Sequence, residues 1–321
     1  MPGFTNFPNG VTSFGVPVFG GGSKVASSAP APQYAYGNTW FVNGYSGNDA
    51  FNGKSPQTPF LTMARAFEVI QSGDVINLTG KVTEQLVTPV QIFDVWVNGM
   101  GNRPRHADST PAGGNLATAQ WAPPASGATA ATATVRVLQQ GWRFTNILFT
   151  SADANSGCIE LVRNAASGDD ERDASHTSII GNRFAGTGIG IKLGATSFTE
   201  NVFNVLIEGN TFNNMSKGIY CTSCIANGIQ ITGNTFFSNT VNITAKLQNS
   251  FITNNFIGPF TASGNSGGID LTGGTAGNVV TLNYLSGTYS NAGGYVAAGA
   301  GDEWAGNMNV ITGGWTAADP A

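Results

Sequence analysis

The chain has 321 residues, of which 41% are apolar and only 10% charged, with a net charge of −4. That much apolar content supplies a core and excludes a disordered polar chain, while only 14 Lys and Arg, with no basic run, argue against a nucleic-acid partner. No stretch reaches the length of a membrane span, and the start, Met1-Pro2-Gly3-Phe4, lacks a basic region followed by an apolar run, so no secretory signal is read there.

Residues 1–22 read as an apolar arm in which Phe4, Phe7, Phe14, Val16, Val18 and Phe19 alternate with Gly and Pro, and no charge precedes Lys24. Pro8 and Pro17 disfavour regular structure, so an extended path is expected. An apolar strip too short to fold alone calls for a docking surface, which makes those six side chains the candidate anchor. Residues 23–37 form a linker rich in Ser, Ala and Pro. A cap over 38–73 follows, with a strand at Trp40-Phe41-Val42 and a turn through Gly53 in which Asp49 reads as a turn residue rather than a metal ligand. Met63, Phe67 and Ile70 fall on one face of an expected helix over about 61–72, ended by Gly73-Asp74. An amphipathic helix of this kind can cover the open end of a stacked solenoid.

Residues 74–312 predict that solenoid, beginning at Val75-Ile76-Asn77-Leu78. An insertion at about 100–134, rich in Pro, Ala and Gly, holds Arg103, Arg105, His106 and Trp121. Asn146-Ile147-Leu148 reads as a degraded coil whose first apolar slot is taken by Arg143. Five clear copies follow of an apolar residue, two residues, Asn, one residue and an apolar residue: Ile179/Asn182/Phe184, Ile207/Asn210/Phe212, Ile231/Asn234/Phe236, Ile252/Asn255/Ile257 and Val280/Asn283/Leu285. The Asn residues are 28, 24, 21 and 28 positions apart, a period that marks stacked β-coils. Each Asn is expected to turn a corner in the left-handed conformation and to stack in a column whose amides bond along the axis. The Phe that follows points inside. A second strand comes after most of these turns, as in Gly188-Ile189-Gly190-Ile191 and Gly218-Ile219-Tyr220-Cys221. Residues 313–321 form a tail.

The cap residues Gly47, Asp49, Gly53, Ser55, Pro59-Phe60, Thr62 and Gly73-Asp74-Val75-Ile76 resemble the N-terminal cap of right-handed parallel β-helix proteins of the pectate-lyase-like superfamily. Those typically read Gly-x-Asp-x-x-x-Gly-x-Ser-x-x-x-Pro-Phe-x-Thr, a helix, then Gly-Asp-x-Ile. With the Asn repeats, the resemblance covers about residues 38–312 and implies an all-β, right-handed parallel β-helix with a capping helix and an extended arm. The run Thr5-Asn6-Phe7-Pro8-Asn9-Gly10-Val11-Thr12-Ser13-Phe14-Gly15-Val16-Pro17-Val18 looks like the start of structural proteins of tailed bacteriophage particles, as does Gly101–Asp108.

Candidate chemistry is sparse. Asp169, Asp170, Glu171 and Asp173, with His176 close behind, form the densest ionisable cluster. Paired carboxylates there can serve glycoside cleavage or calcium, but such runs are commonly solvated loops. The Gly-His-Gly and Arg-Ile-Lys motifs of polygalacturonase-like members are missing, and Glu160, Glu200, Glu208, Arg183 and Lys192 form no recognisable site in sequence. Cys221-Thr-Ser-Cys224 has metal-ligand or redox spacing, yet with Cys158 as the third cysteine the preferred reading is buried solenoid thiols. No catalytic residue, metal or cofactor is therefore assigned. The expectation is a non-enzymatic virion protein: a homotrimeric knob of eight to ten coils, ~40–50 Å long, held by its arm to the major capsid protein or another virion protein. Tyr284, Tyr289, Tyr295, Trp304 and Trp315 are the aromatic surface that motivates the trimer. The alternatives are a small tailspike recognising host-surface glycan and a polysaccharide-degrading enzyme.

Overall fold

The computed structural model describes residues 37–101, 119–124, 132–151, 153–164, 172–194, 201–258, 267–287, 296–309 and 314–315, with the backbone alone of 11–13 and 16–19. Three sheets of ten, ten and eight strands make up the body, parallel throughout except for the last strand of the second. Coil after coil contributes one strand to each. In one coil, Leu206–Glu208 lies in the first sheet, Thr211–Asn213 in the second and Lys217–Asn227 in the third. The next coil repeats the order with Gln230–Thr232, Thr235–Phe237 and Val241–Gln248. This is the right-handed parallel β-helix anticipated from the repeats, in the sense that parallel crossovers nearly always take.

The interior follows from the period of two along each strand. Ile179, Ile207, Ile231, Ile252 and Val280 stand in register in the first sheet, and Ile159, Ile191, Ile219, Ile243 and Ile269 in the third. All ten are fully buried. The second sheet supplies rings. Trp121, Phe149, Phe184, Phe212 and Phe236 stack with centroids 6.0, 5.6, 4.8 and 4.6 Å apart. Burial of each ring contributes about 1.5–3 kcal/mol, and each stacked pair about 0.5–1.5 kcal/mol more.

The repeat Asn residues occupy one buried column, and the column is longer than the five copies in the sequence. Asn210 donates its backbone N–H and its Nδ2 to Asn234 Oδ1 at 2.9 and 3.0 Å. Asn234 does the same to Asn255, Asn255 to Asn283, and Asn283 to Asn307. These Asn residues do not themselves adopt the left-handed conformation. The residue just before each one does: Gly181, Gly209, Gly233, Asn254, Leu282 and Gly306, with φ between 57° and 65°. The chain thus divides the corner between two neighbours. One residue takes the positive φ, and the next uses its amide to satisfy the backbone groups that the corner leaves unpaired. The coil before the first copy obeys the same rule. Asn146 has φ 58° and Ile147 takes the ladder position, donating its N–H to Asn182 Oδ1 at 3.0 Å. Phe144, not Arg143, pairs with Ile179 and fills the apolar slot.

The cap departs from expectation in length. Its helix spans only Met63–Phe67, with Thr62 as N-cap accepting from Arg65 N. Asp49 fixes the approach to it, accepting from the N–H groups of Leu61 and Thr62 and from the Thr62 hydroxyl. Glu84 accepts the N–H groups of Met63 and Ala64 at 2.7 and 3.1 Å. Asp74 is buried and accepts from Asn38 N, Gln71 N and Trp40 Nε1, so the Gly-Asp pair locks the first strand, Thr39–Asn43, against the next coil.

The insertion is not one excursion. Gln120–Ala122 within it is a strand of the second sheet, and Trp121 is fully buried in the core. Residues 102–118, with Arg103, Arg105 and His106, lie outside the described residues. The arm also differs from a single extended path: Val11–Ser13 pairs antiparallel with Val16–Phe19. At the far end, Gly314–Trp315 pairs antiparallel with Met308–Asn309.

Candidate functional site

The third sheet has one residue of each strand facing outward between two inward apolar residues, as in Ile159-Glu160-Leu161 and Ile191-Lys192-Leu193. Register places Arg136, Glu160, Lys192, Tyr220, Thr244 and Asp270 side by side on successive coils. Glu160 sits between two cations, its Oε2 2.6 Å from Arg136 Nε and its Oε1 3.1 Å from Lys192 Nζ. Its side chain is 2% exposed. A buried carboxylate is tolerated only when paired, and here both oxygens are. Further along, the Lys217 ammonium lies 4.2 Å from the centre of the Tyr220 ring, and the Tyr220 hydroxyl accepts from Thr222 at 2.6 Å. Glu160 and Lys192, scattered in sequence, are thus brought together with Arg136, which the sequence reading did not single out. Glu208 faces away on the first sheet, and Glu200 lies outside the described residues.

Of the acidic run, Asp173 lies on a strand: Arg163–Asn164 pairs antiparallel with Arg172–Asp173. Asp169, Asp170 and Glu171 fall outside the described residues. Asp173 is buried and engaged, accepting from Ser175 N at 2.9 Å and Gln140 Nε2 at 2.8 Å, with Arg163 Nε 3.7 Å away. His176 does not join it. It has φ 59° at a corner and packs edge-on against Phe203, with centroids 5.4 Å apart. No group of three His, Cys, Asp or Glu able to hold a metal occurs among the described residues.

A second outward surface runs along the C-terminal half of the second sheet. The residue after each ladder Asn points out there: Thr211, Thr235, Phe256, Tyr284 and Met308, with Trp315 beside the last. Phe256 and Tyr284 stack at 4.7 Å with planes 14° apart. Trp315 is 66% exposed. Trp304, expected on this surface, is instead a core residue of the first sheet, in register with Val280. Tyr289 and Tyr295 lie outside the described residues. Both outward columns are legible once coils are aligned, since each occupies one fixed offset: the centre of an apolar-x-apolar triplet, or the residue after Asn.

Phe4, Phe7 and Phe14 lie outside the described residues, and Val16, Val18 and Phe19 belong to the backbone ribbon already given. The Asn column is buried throughout and offers no surface. No helix among the described residues is long and apolar enough to cross a membrane.

No protein-family model matches the chain, and no curated protein matches it. Similar solved structures are found at low identity. A rhamnogalacturonan lyase is 10% identical with a TM-score of 0.43, over 87% of this chain and 88% of that one. A GH136 lacto-N-biosidase from Eubacterium ramulus is 10% identical with a TM-score of 0.42, over 84% of this chain. The chain spans 60% of that enzyme's length. The Dettilon tailspike protein is 13% identical with a TM-score of 0.29, over 87% of this chain and 68% of that one.

Proposed function

We propose that this chain is a structural protein of a tailed-phage particle, a β-helix knob displayed on the surface and held by residues 1–22, most simply as a capsid decoration protein. One observation carries the non-catalytic part of the reading. The sheltered carboxylates Asp74, Glu84, Glu160 and Asp173 are each bound to backbone N–H groups, cations, or indole or amide side chains of the fold itself. The arm carries the docking part. A two-stranded ribbon keeps free edges, and strand addition to a partner sheet is a common way to anchor such a segment. In a homotrimer, three arms would bind with the gain that linkage gives.

A second reading, a small tailspike that binds host-surface glycan, is favoured by the exposed Phe256 and Trp315, with the half-buried Tyr284 stacked on Phe256. Flat aromatic faces that are wet on one side suit the apolar faces of sugar rings.

The test is to delete residues 1–22 and mix the truncated and full-length proteins with particles lacking the protein. The reading expects the truncated chain to melt with the full-length one yet fail to bind. Binding at full occupancy would overturn it. Incubation with host-surface polysaccharide separates the other classes: retention without shortening of the polymer supports the tailspike, and shortening shows an enzyme. Light scattering of the full chain tests the trimer.

A further inference from the structure

The third-sheet strand Lys217–Asn227 carries an irregularity that its neighbours lack. Cys221 pairs with Ala245, and the next pair is Ala226 with Leu247, so Thr222-Ser223-Cys224-Ile225 oppose the single residue Lys246. A bulge of this size must turn back on itself to rejoin the ladder. It does so at Cys221 and Cys224, whose sulfurs end 3.5 Å apart. Three neighbours hold Cys224 there. Its Sγ lies 3.6 Å from Leu193 O, a Cβ added at Gly194 would come within 2.5 Å of that sulfur, and Asn201 Oδ1 accepts from Ile225 N. Cys221 is fully buried, while Cys224 keeps 6% exposure. Cys158, by contrast, is fully buried on another coil.

We propose that Cys221 and Cys224 are a redox pair that closes to a disulfide across the base of this bulge when the protein meets an oxidising small-molecule disulfide. The sulfurs need approach by only about 1.5 Å to reach bonding distance, within a turn already shaped to bring them together. Cys224 is the attacking thiol, because it alone reaches solvent. The Cys221 side-chain hydrogen bond holds its pKa below the usual thiol value, and the charge of Lys246 acts in the same direction. Cys221 is shifted the opposite way by that shared bond and by burial.

The Cys224 thiolate attacks one sulfur of the oxidant, forming a mixed disulfide and releasing one thiolate. That thiolate takes the Cys221 proton. The Cys221 sulfur then attacks the Cys224 sulfur and expels the second thiolate, which is protonated by water. Two thiols are oxidised and one external disulfide is reduced to two thiols. The bulge is therefore a latch, open in reducing surroundings and closed in oxidising ones.

The experiment uses the full-length chain, reduced and desalted, then exposed to oxidised glutathione under folding conditions. Intact mass and peptide mapping without reduction should show the loss of two hydrogens per chain, with Cys221 and Cys224 joined and Cys158 still a thiol. The oxidised protein should melt a few degrees higher, and dithiothreitol should reverse the shift. Cys221→Ala should trap a glutathione adduct on Cys224, and Cys224→Ala should take up none. A folded protein that keeps both thiols while its urea-unfolded form oxidises would overturn the proposal, as would a stable glutathione adduct on wild-type Cys224. If either variant fails to fold, the wild-type mass shift and its reversal still decide.

Discussion

The corner between the first and second sheets and the strand Lys217–Asn227 lie in the same coils, yet different forces shape them. The corner is fixed by hydrogen bonds that repeat without change from Asn182 to Asn307, whatever the length of the intervening coil. The strand carries a bulge, a buried ion cluster nearby and two facing thiols, none of which recurs in the next coil. A stacked coil can vary only where its variation does not have to be copied by the neighbours above and below. Function, if it is local, therefore has room on the third sheet and almost none at the Asn corner.

The sharpest way to break this contrast is Asn234→Leu. It removes the acceptor for two Asn210 donors and the donor to Ile207 O, all buried. A loss of roughly 3–5 kcal/mol in urea unfolding is expected. A loss below about 1 kcal/mol would mean that water replaces the ladder and that the corner is no more constrained than the bulge.

Glu160→Gln probes the other side. It leaves Arg136 and Lys192 facing each other without their carboxylate, but both cations retain some exposure, at 29% and 12%. A loss of about 1–2 kcal/mol is expected, softened by salt if the two cations then repel through solvent. No loss would show that the ion cluster is not part of what holds the third sheet.

Smaller and opposite in sign is Leu282→Gly. Leu282 has φ 58° and is 53% exposed, in the column where Gly181, Gly209 and Gly233 stand in other coils. Relief of the left-handed strain outweighs the added freedom of the unfolded chain, so a gain of up to about 1 kcal/mol is expected by thermal melting. A loss would mean that the exposed Leu282 side chain contributes packing that outweighs its backbone strain.

The smallest effect is electrostatic. Burial raises the Glu84 carboxyl above its ordinary value, against the two amides it accepts. The folded protein then holds the proton more tightly than the unfolded chain, so between the ordinary value and the raised one stability falls as pH rises. Glu84→Gln should remove that slope from a pH series of melts while leaving the series elsewhere parallel to wild type.

The pattern of what the sequence made legible follows the same contrast. The five Asn copies were readable because a fixed offset between an apolar residue, Asn and a second apolar residue repeats against a variable background. Asn307 does not match that offset because Asn309 stands where the closing apolar residue should be, although Asn309 is buried all the same. Asn146 is ambiguous in sequence because a left-handed Asn and a ladder Asn are one letter, and only the pairing of Phe144 with Ile179 separates them. Trp121 looked like part of a surface insertion because the composition around it is that of a loop, although one short strand there returns to the core. Glu160 and Lys192 are neighbours only after the coil length between them is known, and that length varies from coil to coil. Nothing in Cys221-Thr-Ser-Cys224 says that the residues between the thiols leave the ladder. That needs the partner strand, where Lys246 alone stands opposite.

The Asn column also has a direction. Each ladder Asn from Asn182 to Asn283 receives its oxygen partner from the coil that follows it in the chain, as Asn210 does from Asn234 and Asn234 from Asn255. A coil is therefore unfinished at this corner until its successor is in place, even though its Nδ2 is already held by a carbonyl of an earlier coil, as Asn210 Nδ2 is by Ile179 O. The ladder is therefore polar, with each turn closing the one before it. A chain cut after any ladder Asn would end not in a blunt face but in a live one, ready to accept the same amide from another molecule.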